Sequence, residues 1–390
     1  MKILIVTPTP THPPRQGNRV RTALIAEAFL RAGALVDIVY YALEGIDPIG
    51  LDAMREAWNS VTVVDPQGFE RHKSFEDHWG IDDWVAPALL DCMEELAATR
   101  SYDAVIVHYV WCSAILDRFP RENGRPLRII DTHDAFGHRA ELMRAVGLKP
   151  DWYYTSESEE ARGLRRADIV LAVQQEEGRY FASIAPSRVL VIESAWAPEP
   201  LSRRSAPAAP EARLRIGYIG SANPWNRLAV LTFDRLFNAA RADFGDTPLP
   251  EVLIFGGLSR WLKNLSVCNP AGSVVDVRDA YASVDLMINP MVGGSGFKIK
   301  TVESLIYGRP IVSTVAGAIG IEWLHPDLAH ADVESLVRRI LELSRDRDAF
   351  EAMSRSMMDA YPAFHSAVAV KLDGLIAEVR KLGEAMGPRL

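Results

Sequence analysis

Residues 289–310 read NPMVGGSGFKIKTVESLIYGRP. An apolar run ends at Pro290, and Gly293, Gly294, Ser295 and Gly296 then let the backbone turn tightly and approach a ligand without side-chain clash. A helix beginning near Phe297 would aim its first N–H groups and its positive dipole end at whatever fills that turn, an arrangement suited to phosphate. Lys298 and Lys300 fall in the first turn, where a cation opposes the dipole, and an anionic ligand removes the conflict. Glu303, about a turn past Phe297, can accept two hydroxyl hydrogen bonds, as from a ribose diol. Glycine-rich turns and Lys/Glu pairs on a first helical turn also occur as solvated surface, so from spacing alone phosphate binding and a plain turn both stand.

Other chemistries can be tested against the same residues. A dinucleotide fingerprint needs a third glycine after Gly294 and Gly296, and position 299 is Ile. A P-loop needs GK[ST], which is absent, and a nucleophile elbow centred on Ser295 fails because position 297 is Phe. No HExxH or Cys/His metal spacing occurs. The D-x-D of Asp346 and Asp348 lies in a charged helical stretch and reads as solvated surface, so no metal is expected. Glu157, Glu159 and Arg162 read as a solvated helix face.

The elements that must carry these residues alternate. Residues 2–7, 35–41, 61–65, 103–109, 127–133, 168–173 and 188–193 are short apolar runs that read as strands, with helical periodicity between them. The first helix places Val20, Ala23, Leu24, Ala28 and Leu30 near one face and ends at Gly33. Residues 197–213 are rich in Pro, Ala and Arg without apolar period and read as an interdomain linker. The alternation then restarts: strands at 214–220, 251–257, 285–290 and 310–314, helices at about 224–243 and 297–308. The last third is helical, ending in an amphipathic segment at about 363–385. Near-continuous apolar strands separated by helices predict parallel sheets covered on both faces, with ligands at the carboxyl ends of the strands.

Composition sets the outer limits. The 390 residues suit two domains, and 48% hydrophobic with 24% charged residues describes a soluble globular chain with a large core. A net charge of −8 gives no basic field for nucleic acid or an anionic membrane. The three cysteines, Cys92, Cys112 and Cys268, form no CxxC and read as free thiols of a reducing compartment. The amino-terminal run is too short for a signal peptide, and no run of about 18 apolar residues predicts a membrane span.

The stretch GGSGFKIKTVESLIYGRPIVSTVAGAIGI resembles the nucleotide-sugar motif of retaining glycosyltransferases of family four. GNRVR after the first strand, DTHD after a central strand, EEARGLRRADIVLAVQQEE before the linker and IGYIGSANPWNR after it extend the likeness over most of the chain. The resemblance implies the α/β GT-B fold, two doubly wound Rossmann-like domains facing across a cleft. Residues 1–196 would form the acceptor-side domain, 197–213 the linker, 214–362 the nucleotide-sugar domain, and 363–390 a helix crossing back to the first domain.

The resemblance further implies a retaining, metal-independent hexosyltransferase that moves a sugar from a nucleotide diphosphate sugar to an acceptor hydroxyl in polysaccharide or glycoconjugate synthesis. Lys298 and Lys300 would face the diphosphate, with Arg227 as a weaker candidate, and Glu303 the donor ribose. Gly294, Ser295, Gly296 and Phe297 would complete the donor loop. Gly17 and Asn18 resemble the loop against the diphosphate, with Arg19 helping to hold it; Asn18 also suits an ordinary helix N-cap. His133, followed by Asp134, corresponds to the histidine near the transferring sugar. In the family's E-x7-E pattern the first glutamate's place falls on Ser295.

The donor would be a substrate, with no cofactor, and the acceptor a saccharide or a lipid-linked one. No nucleic-acid partner is expected. Trp111, Trp152, Tyr153 and Tyr154 could stack on a sugar or face a membrane, though most such residues are core or rim. A cytoplasmic protein follows, compatible with peripheral contact at the inner face of the plasma membrane. A nucleotide-sugar 2-epimerase on the same fold and a non-catalytic nucleotide-sugar binder are the competing readings.

Overall fold

The computed structural model describes residues 1–14, 16–120, 126–202 and 213–384, and the chain divides into two compact units. Unit 1 comprises Met1–Ser194 together with the stretch from Val368 onward, and unit 2 comprises Ala195–Ala367. Most of the Pro/Ala/Arg-rich stretch, residues 203–212, lies outside the described residues. Just before it the chain runs along unit 2, where the Glu199 and Leu201 N–H groups donate to the carbonyls of Ile306 and Tyr307 (2.9 and 3.1 Å).

Unit 1 holds strands β1 (Lys2–Thr7), β2 (Leu35–Tyr41), β3 (Ser60–Val64), β4 (Ala104–His108), β5 (Leu127–Asp131), β6 (Ile169–Ala172) and β7 (Arg188–Val191). Between them lie helices α1 (Gly17–Arg31), α2 (Pro48–Ala57), α3 (Pro87–Thr99), α4 (Arg139–Ala145), α5 (Glu157–Leu164) and α6 (Gln175–Ile184). All seven strands pair in parallel, in the order β3-β2-β1-β4-β5-β6-β7. Successive side chains of a strand point to opposite faces, so the uninterrupted burial of β4 and β6 means both faces of the sheet are covered.

Unit 2 repeats the plan with β8 (Arg215–Ile219), β9 (Glu251–Phe255), β10 (Cys268–Gly272), β11 (Leu286–Asn289) and β12 (Ile311–Ser313), and helices α7 (Pro224–Ala239), α8 (Val277–Ala282), α9 (Ile299–Ile306) and α10 (Val333–Arg345). Its parallel order is β10-β9-β8-β11-β12. A last helix, α11 (Arg347–Glu384), begins in unit 2 and ends in unit 1.

Four features differ from the sequence-based expectations. Strand β10, CNPAG, has neither apolar alternation nor a run of β-branched residues; it is an edge strand, where Pro270 is tolerated. On α1, Leu30 is exposed while Arg21, Ile25 and Phe29, spaced at i, i+4 and i+8, are buried, so a charged residue occupies part of the buried stripe. Helix α9 starts at Ile299, two residues later than expected. The amphipathic segment at 363–385 is the second half of one 38-residue helix that continues through Pro362. Proline inside a helix loses one backbone bond, and here Tyr361 beside it is anchored by donating to the Trp196 carbonyl (2.8 Å). Asp346 of the D-x-D accepts from the Ala349 N–H (2.9 Å) at the start of this helix, a capping role.

In each sheet the chain winds outward from one strand in both directions, which makes a topological switch point between β1 and β4 in unit 1 and between β8 and β11 in unit 2. Ligands of open α/β sheets sit at the carboxyl ends of the strands flanking such a point. At that edge of unit 2, Gly256 has φ +91° and ψ −176°, a backbone region open essentially to glycine alone, and a Cβ there would lie 2.5 Å from the Gly220 carbonyl oxygen. Gly256→Ala is expected to destabilise unit 2 by at least about 1–3 kcal/mol from backbone strain. Urea unfolding checks this; an unchanged midpoint would mean that β8 and β9 are not packed this closely.

Candidate functional site

At the switch point of unit 2 the residues from 293 onward meet the start of α7. Asn223 caps α7 by accepting from the Asn226 N–H (2.8 Å), which fixes Asn226 in the first turn. Asn226 Oδ1 then accepts from the Tyr218 hydroxyl of β8 (2.7 Å) and from Lys300 Nζ of α9 (2.8 Å), while Lys300 also donates to the Tyr218 oxygen (2.7 Å). The ammonium is thus held by two neutral oxygens. Burial pushes the Lys300 pKa down to about 7, the Lys298 charge adds to the shift, and Glu303 opposes it.

Glu303 is nearly buried and accepts from the Tyr281 hydroxyl (2.9 Å). Burial raises its carboxyl, an effect the Tyr281 bond and Lys300 partly offset. Part of its hydrogen-bonding capacity is therefore taken up by the protein. Lys298 is the N-cap residue of α9 rather than a member of its first turn, and its ammonium turns back to donate to the carbonyls of Ser295 and of Gly296 (3.0 Å). Those carbonyls resolve the clash with the helix dipole that the sequence poses. Gly294 and Gly296 have φ of +117° and +75°, and Trp225 lies beside Gly294, where an added Cβ would come within 3.7 Å of its indole.

Asn289, at the end of β11, donates to Thr301 Oγ1 (2.9 Å) and to the Gly317 carbonyl (2.7 Å), tying the strand end to α9 and to the loop after β12. Gly294, Ser295, Gly296, Lys298, Lys300 and Glu303 therefore come together. Phe297 follows them half-buried, and Arg227 stands exposed on α7 one residue past Asn226.

In unit 1 the switch point lies between the ends of β1 and β4, and α1 starts there at Gly17. Its N-cap is Gln16, without a side-chain cap; Asn18 sits inside the first turn, with Oδ1 on the Arg19 N–H (2.9 Å), so the N-cap reading of Asn18 is corrected. Arg19 pairs with Glu44 (2.6 Å), and Asn18 donates to the same carboxylate (3.3 Å). The loop residues Gly17, Asn18 and Arg19 thus sit against a carboxylate in this structure.

One turn on, the buried Arg21 guanidinium grips Asp131 with Nε (2.8 and 2.9 Å) and Nη2 (2.5 Å), and its Nη1 donates to the Ile192 carbonyl (2.8 Å). Asp131 ends β5 and stands in register with His108, which ends β4. Asp131 Oδ2 lies 3.0 Å from His108 Nδ1 and 3.3 Å from His133 Nε2, and those two nitrogens are 2.7 Å apart. Burial alone would raise the Asp131 carboxyl, yet Arg21 and the two histidines hold it well below the usual range. His133 is lowered well below the usual imidazole value, by burial first and then by His108 and Arg21, against the pull of Asp131.

The surroundings hold His133 firmly. Its ring stacks on Tyr109 (centroids 4.2 Å, planes 11° apart), and both residues have positive φ, +61° and +70°. Left-handed backbone at non-glycine residues costs about 1–3 kcal/mol each and collects at functional sites. The loop beyond is fixed by the buried Glu160, which accepts from the Phe136 and Gly137 N–H groups and the Tyr180 hydroxyl (each 2.8 Å); burial pushes its pKa up to about 7. Asp134, next to His133, pairs with Arg139 (2.9 Å). Among the aromatics, Trp111 and Tyr153 are core, Trp152 is half-exposed, and Tyr154 bonds Lys73 (2.6 Å). Glu159 and Arg162 do more than face solvent: Glu159 accepts from the Ile81 N–H (2.8 Å) and Arg162 bridges Glu159 and Asp82.

His108, Asp131 and His133 are also the one group among the described residues whose ligand atoms converge as around a metal ion. Two imidazole nitrogens bound to one tetrahedral ion at about 2.0–2.1 Å lie about 3.3 Å apart. The observed 2.7 Å is a hydrogen-bond distance, and Arg21 already occupies both Asp131 oxygens. The geometry is that of a hydrogen-bonded cluster.

Sequence reasoning singled out His133 but not Arg21, His108, Asp131 or Glu160, nor Tyr218 and Tyr281 in unit 2. A signal existed for two of them, because His108 and Asp131 are polar residues closing apolar runs at the carboxyl edge of the sheet. Arg21 carried none beyond a charge in a helical stripe. Arg21→Met should destabilise unit 1 by about 3–5 kcal/mol near neutral pH, because Asp131 is left buried without its partner. The loss should shrink as the pH falls, since a carboxyl that is ionised unfolded but protonated folded takes up a proton on folding. Urea denaturation at several pH values checks both, and a surface-like change below about 0.5 kcal/mol would contradict the burial of the pair.

Residues 213–346 match the family model described as Glycosyl transferases group 1. No curated protein matches the chain. Among solved structures, sucrose-phosphate synthase from Thermosynechococcus elongatus superposes with a TM-score of 0.70 at 14% identity, covering 98% of this chain and 99% of that one. Anabaena HepE in complex with UDP and glucose gives 0.61 at 16% identity, covering 98% and 99%. A mutant of S. aureus TarM in complex with Fondaparinux, alpha-GlcNAc-glycerol and UDP gives 0.65 at 10% identity, covering 96% and 99%. At these identities the likeness concerns the fold: two parallel-sheet α/β units, as in GT-B glycosyltransferases.

Proposed function

We propose that this protein is a retaining, metal-independent hexosyltransferase that moves a sugar from a nucleotide diphosphate sugar to an acceptor hydroxyl, in the synthesis of a cell-surface polysaccharide or glycoconjugate. The observation that carries the reading is the partly buried Lys300 ammonium at the unit 2 switch point, held by the neutral oxygens of Tyr218 and Asn226 beside a glycine loop and the start of α9. The match of residues 213–346 to a group 1 glycosyltransferase model and the UDP held by HepE and TarM support it.

When the bond between sugar and diphosphate breaks, negative charge builds on the leaving phosphate. Cations and N–H groups already in place stabilise that charge without reorganisation, and removing one such donor typically costs about 2.7–4 kcal/mol of barrier lowering. Lys300 is the first candidate, and Lys298 would exchange loop carbonyls for phosphate oxygens. This supply of counter-charge is the basis for proposing that no divalent metal takes part and that the donor is a substrate without a further cofactor. Glu303 would use its remaining acceptor capacity on the donor ribose, and Gly17, Asn18, Arg19 and Arg227 are secondary donor contacts. His133 would face the transferring sugar. The acceptor is proposed to be a saccharide or lipid-linked saccharide, met in the cytoplasm or at the inner membrane face; among the described residues no helix is long and apolar enough to cross a membrane. Ser295 in place of the first glutamate of E-x7-E keeps one other reading in view, a nucleotide-sugar binder without transfer, which predicts donor affinity but no product with any acceptor.

Calorimetry with UDP, GDP, ADP and their sugars tests the donor site. One nucleotide should bind, and Lys300→Ala should weaken it by about 10- to 100-fold, the worth of a hydrogen bond to a charged group. Unchanged affinity in both Lys300→Ala and Lys298→Ala would end the phosphate reading.

The pH dependence has a definite sign. Binding an anion favours the charged lysine, so affinity for the nucleotide sugar, whose diphosphate does not titrate near neutrality, should be flat below pH 7. Above the Lys300 pKa of about 7 it should fall by up to about tenfold per pH unit, because each binding event then takes up a proton. Calorimetry in buffers of different ionisation enthalpy would show that uptake, and its absence at pH 8 would contradict the assignment.

A further inference from the structure

We propose that Arg21, Asp131 and His108 act as positioning residues that fix His133 as its Nδ1–H tautomer, so that His133 meets a substrate hydroxyl as a hydrogen-bond donor and not as a proton acceptor. The identity of that hydroxyl's owner, a sugar, rests on the transferase reading; the tautomer does not.

The argument is an accounting of protons in a closed cluster. Arg21 and Asp131 leave one carboxylate oxygen, Oδ2, facing two imidazole nitrogens, His108 Nδ1 at 3.0 Å and His133 Nε2 at 3.3 Å, which are 2.7 Å from each other. A carboxylate only accepts, and two nitrogens at hydrogen-bond distance share one proton. If His133 Nε2 carried it, His108 Nδ1 would turn a lone pair toward the carboxylate at the shorter of the two distances. A neutral His108 would then carry its own proton on Nε2, which is buried without any partner. An orphaned buried N–H costs about 1–3 kcal/mol.

If both nitrogens carried protons, two N–H groups would converge on a single oxygen across 2.7 Å. The remaining arrangement leaves no N–H of the cluster buried without a partner, only the His108 Nε2 lone pair: His108 Nδ1–H donates between His133 Nε2 and Asp131 Oδ2. His133 Nε2 is then an acceptor and its proton sits on Nδ1, to which no described residue bonds. The stacking on Tyr109 and the left-handed backbone at both residues hold the ring in that orientation.

The full-length protein labelled with [15N]histidine tests this by two-bond 1H–15N spectra, assigned with His108→Phe and His133→Gln, between pH 6 and 8. His133 is expected to show a pyrrole-type Nδ1 and a pyridine-type Nε2, and His108 a pyrrole-type Nδ1. In folded His108→Phe, the His133 signals should move to a mixture of tautomers. A protonated His133 Nε2, a doubly protonated His133, a single unchanged tautomer in His108→Phe, or displacement of these signals by stoichiometric zinc or manganese would each overturn the relay.

The donor role has its own readout. With a nucleotide sugar that binds, His133→Gln, which keeps an N–H donor, should retain at least about tenfold more activity than His133→Phe, the order of one well-placed hydrogen bond; equal loss would overturn it. Should no nucleotide sugar bind, the transferase reading fails while the wild-type spectrum still decides the relay.

Discussion

A guanidinium stays charged even when buried, so its charge must be compensated, and Arg21, packed from α1 against the sheet, meets Asp131 with three N–H contacts to one carboxylate. Much of unit 1's carboxyl edge follows from it. The pair joins α1 to β5, and Arg21 Nη1 reaches the Ile192 carbonyl and the Ser194 hydroxyl beyond β7, so a single side chain ties α1 to the ends of two strands. Asp131, held in place, accepts from His108 and so sets the proton that faces His133. Tyr109 and His133 keep left-handed backbone because the stacking and bonding around them over-determine their positions.

Unit 2 holds Lys300 in a different way. Lys300 has two neutral oxygens where Arg21 has a carboxylate, and the nearest acid that affects it, Glu303, is bonded to Tyr281. Arg21 is matched by a buried carboxylate, while Lys300 donates to a hydroxyl and an amide oxygen. Lys298 likewise donates to neutral oxygens, the carbonyls of Ser295 and Gly296.

The strands of both sheets were legible because fully buried parallel strands must be continuously apolar, and their ends fell within a residue or two of the runs read from sequence. Strand β10 escaped because an edge strand bearing Pro270 needs no such run. The turn after β11 was legible because Gly294 and Gly296, both at positive φ, mark it in the sequence. What stayed hidden depends on contacts distant in sequence: Arg21 and Asp131 are 110 residues apart, Tyr218 and Lys300 are 82 apart, and nothing in the local spacing of either pair announces the other. Glu160 was read past as one acid among several on α5, though its burial and the N–H groups of Phe136 and Gly137 make it the residue that shapes the loop after His133.

The stretch from Val368 onward belongs to unit 1, where Lys371 closes on the nearly buried Glu193 (2.6 Å) and Arg380 donates to the Ala32 carbonyl (3.0 Å). All of unit 2 is encoded between the two pieces. During synthesis, the seven-stranded sheet is therefore complete in sequence long before its last helical segment leaves the ribosome, and Glu193 must wait without its cation while some 170 residues of the other unit are made. The order in which the chain emerges thus leaves the ends of β7 and α1, which Lys371 and Arg380 reach, to be covered last, a vulnerability in time that the finished structure no longer displays.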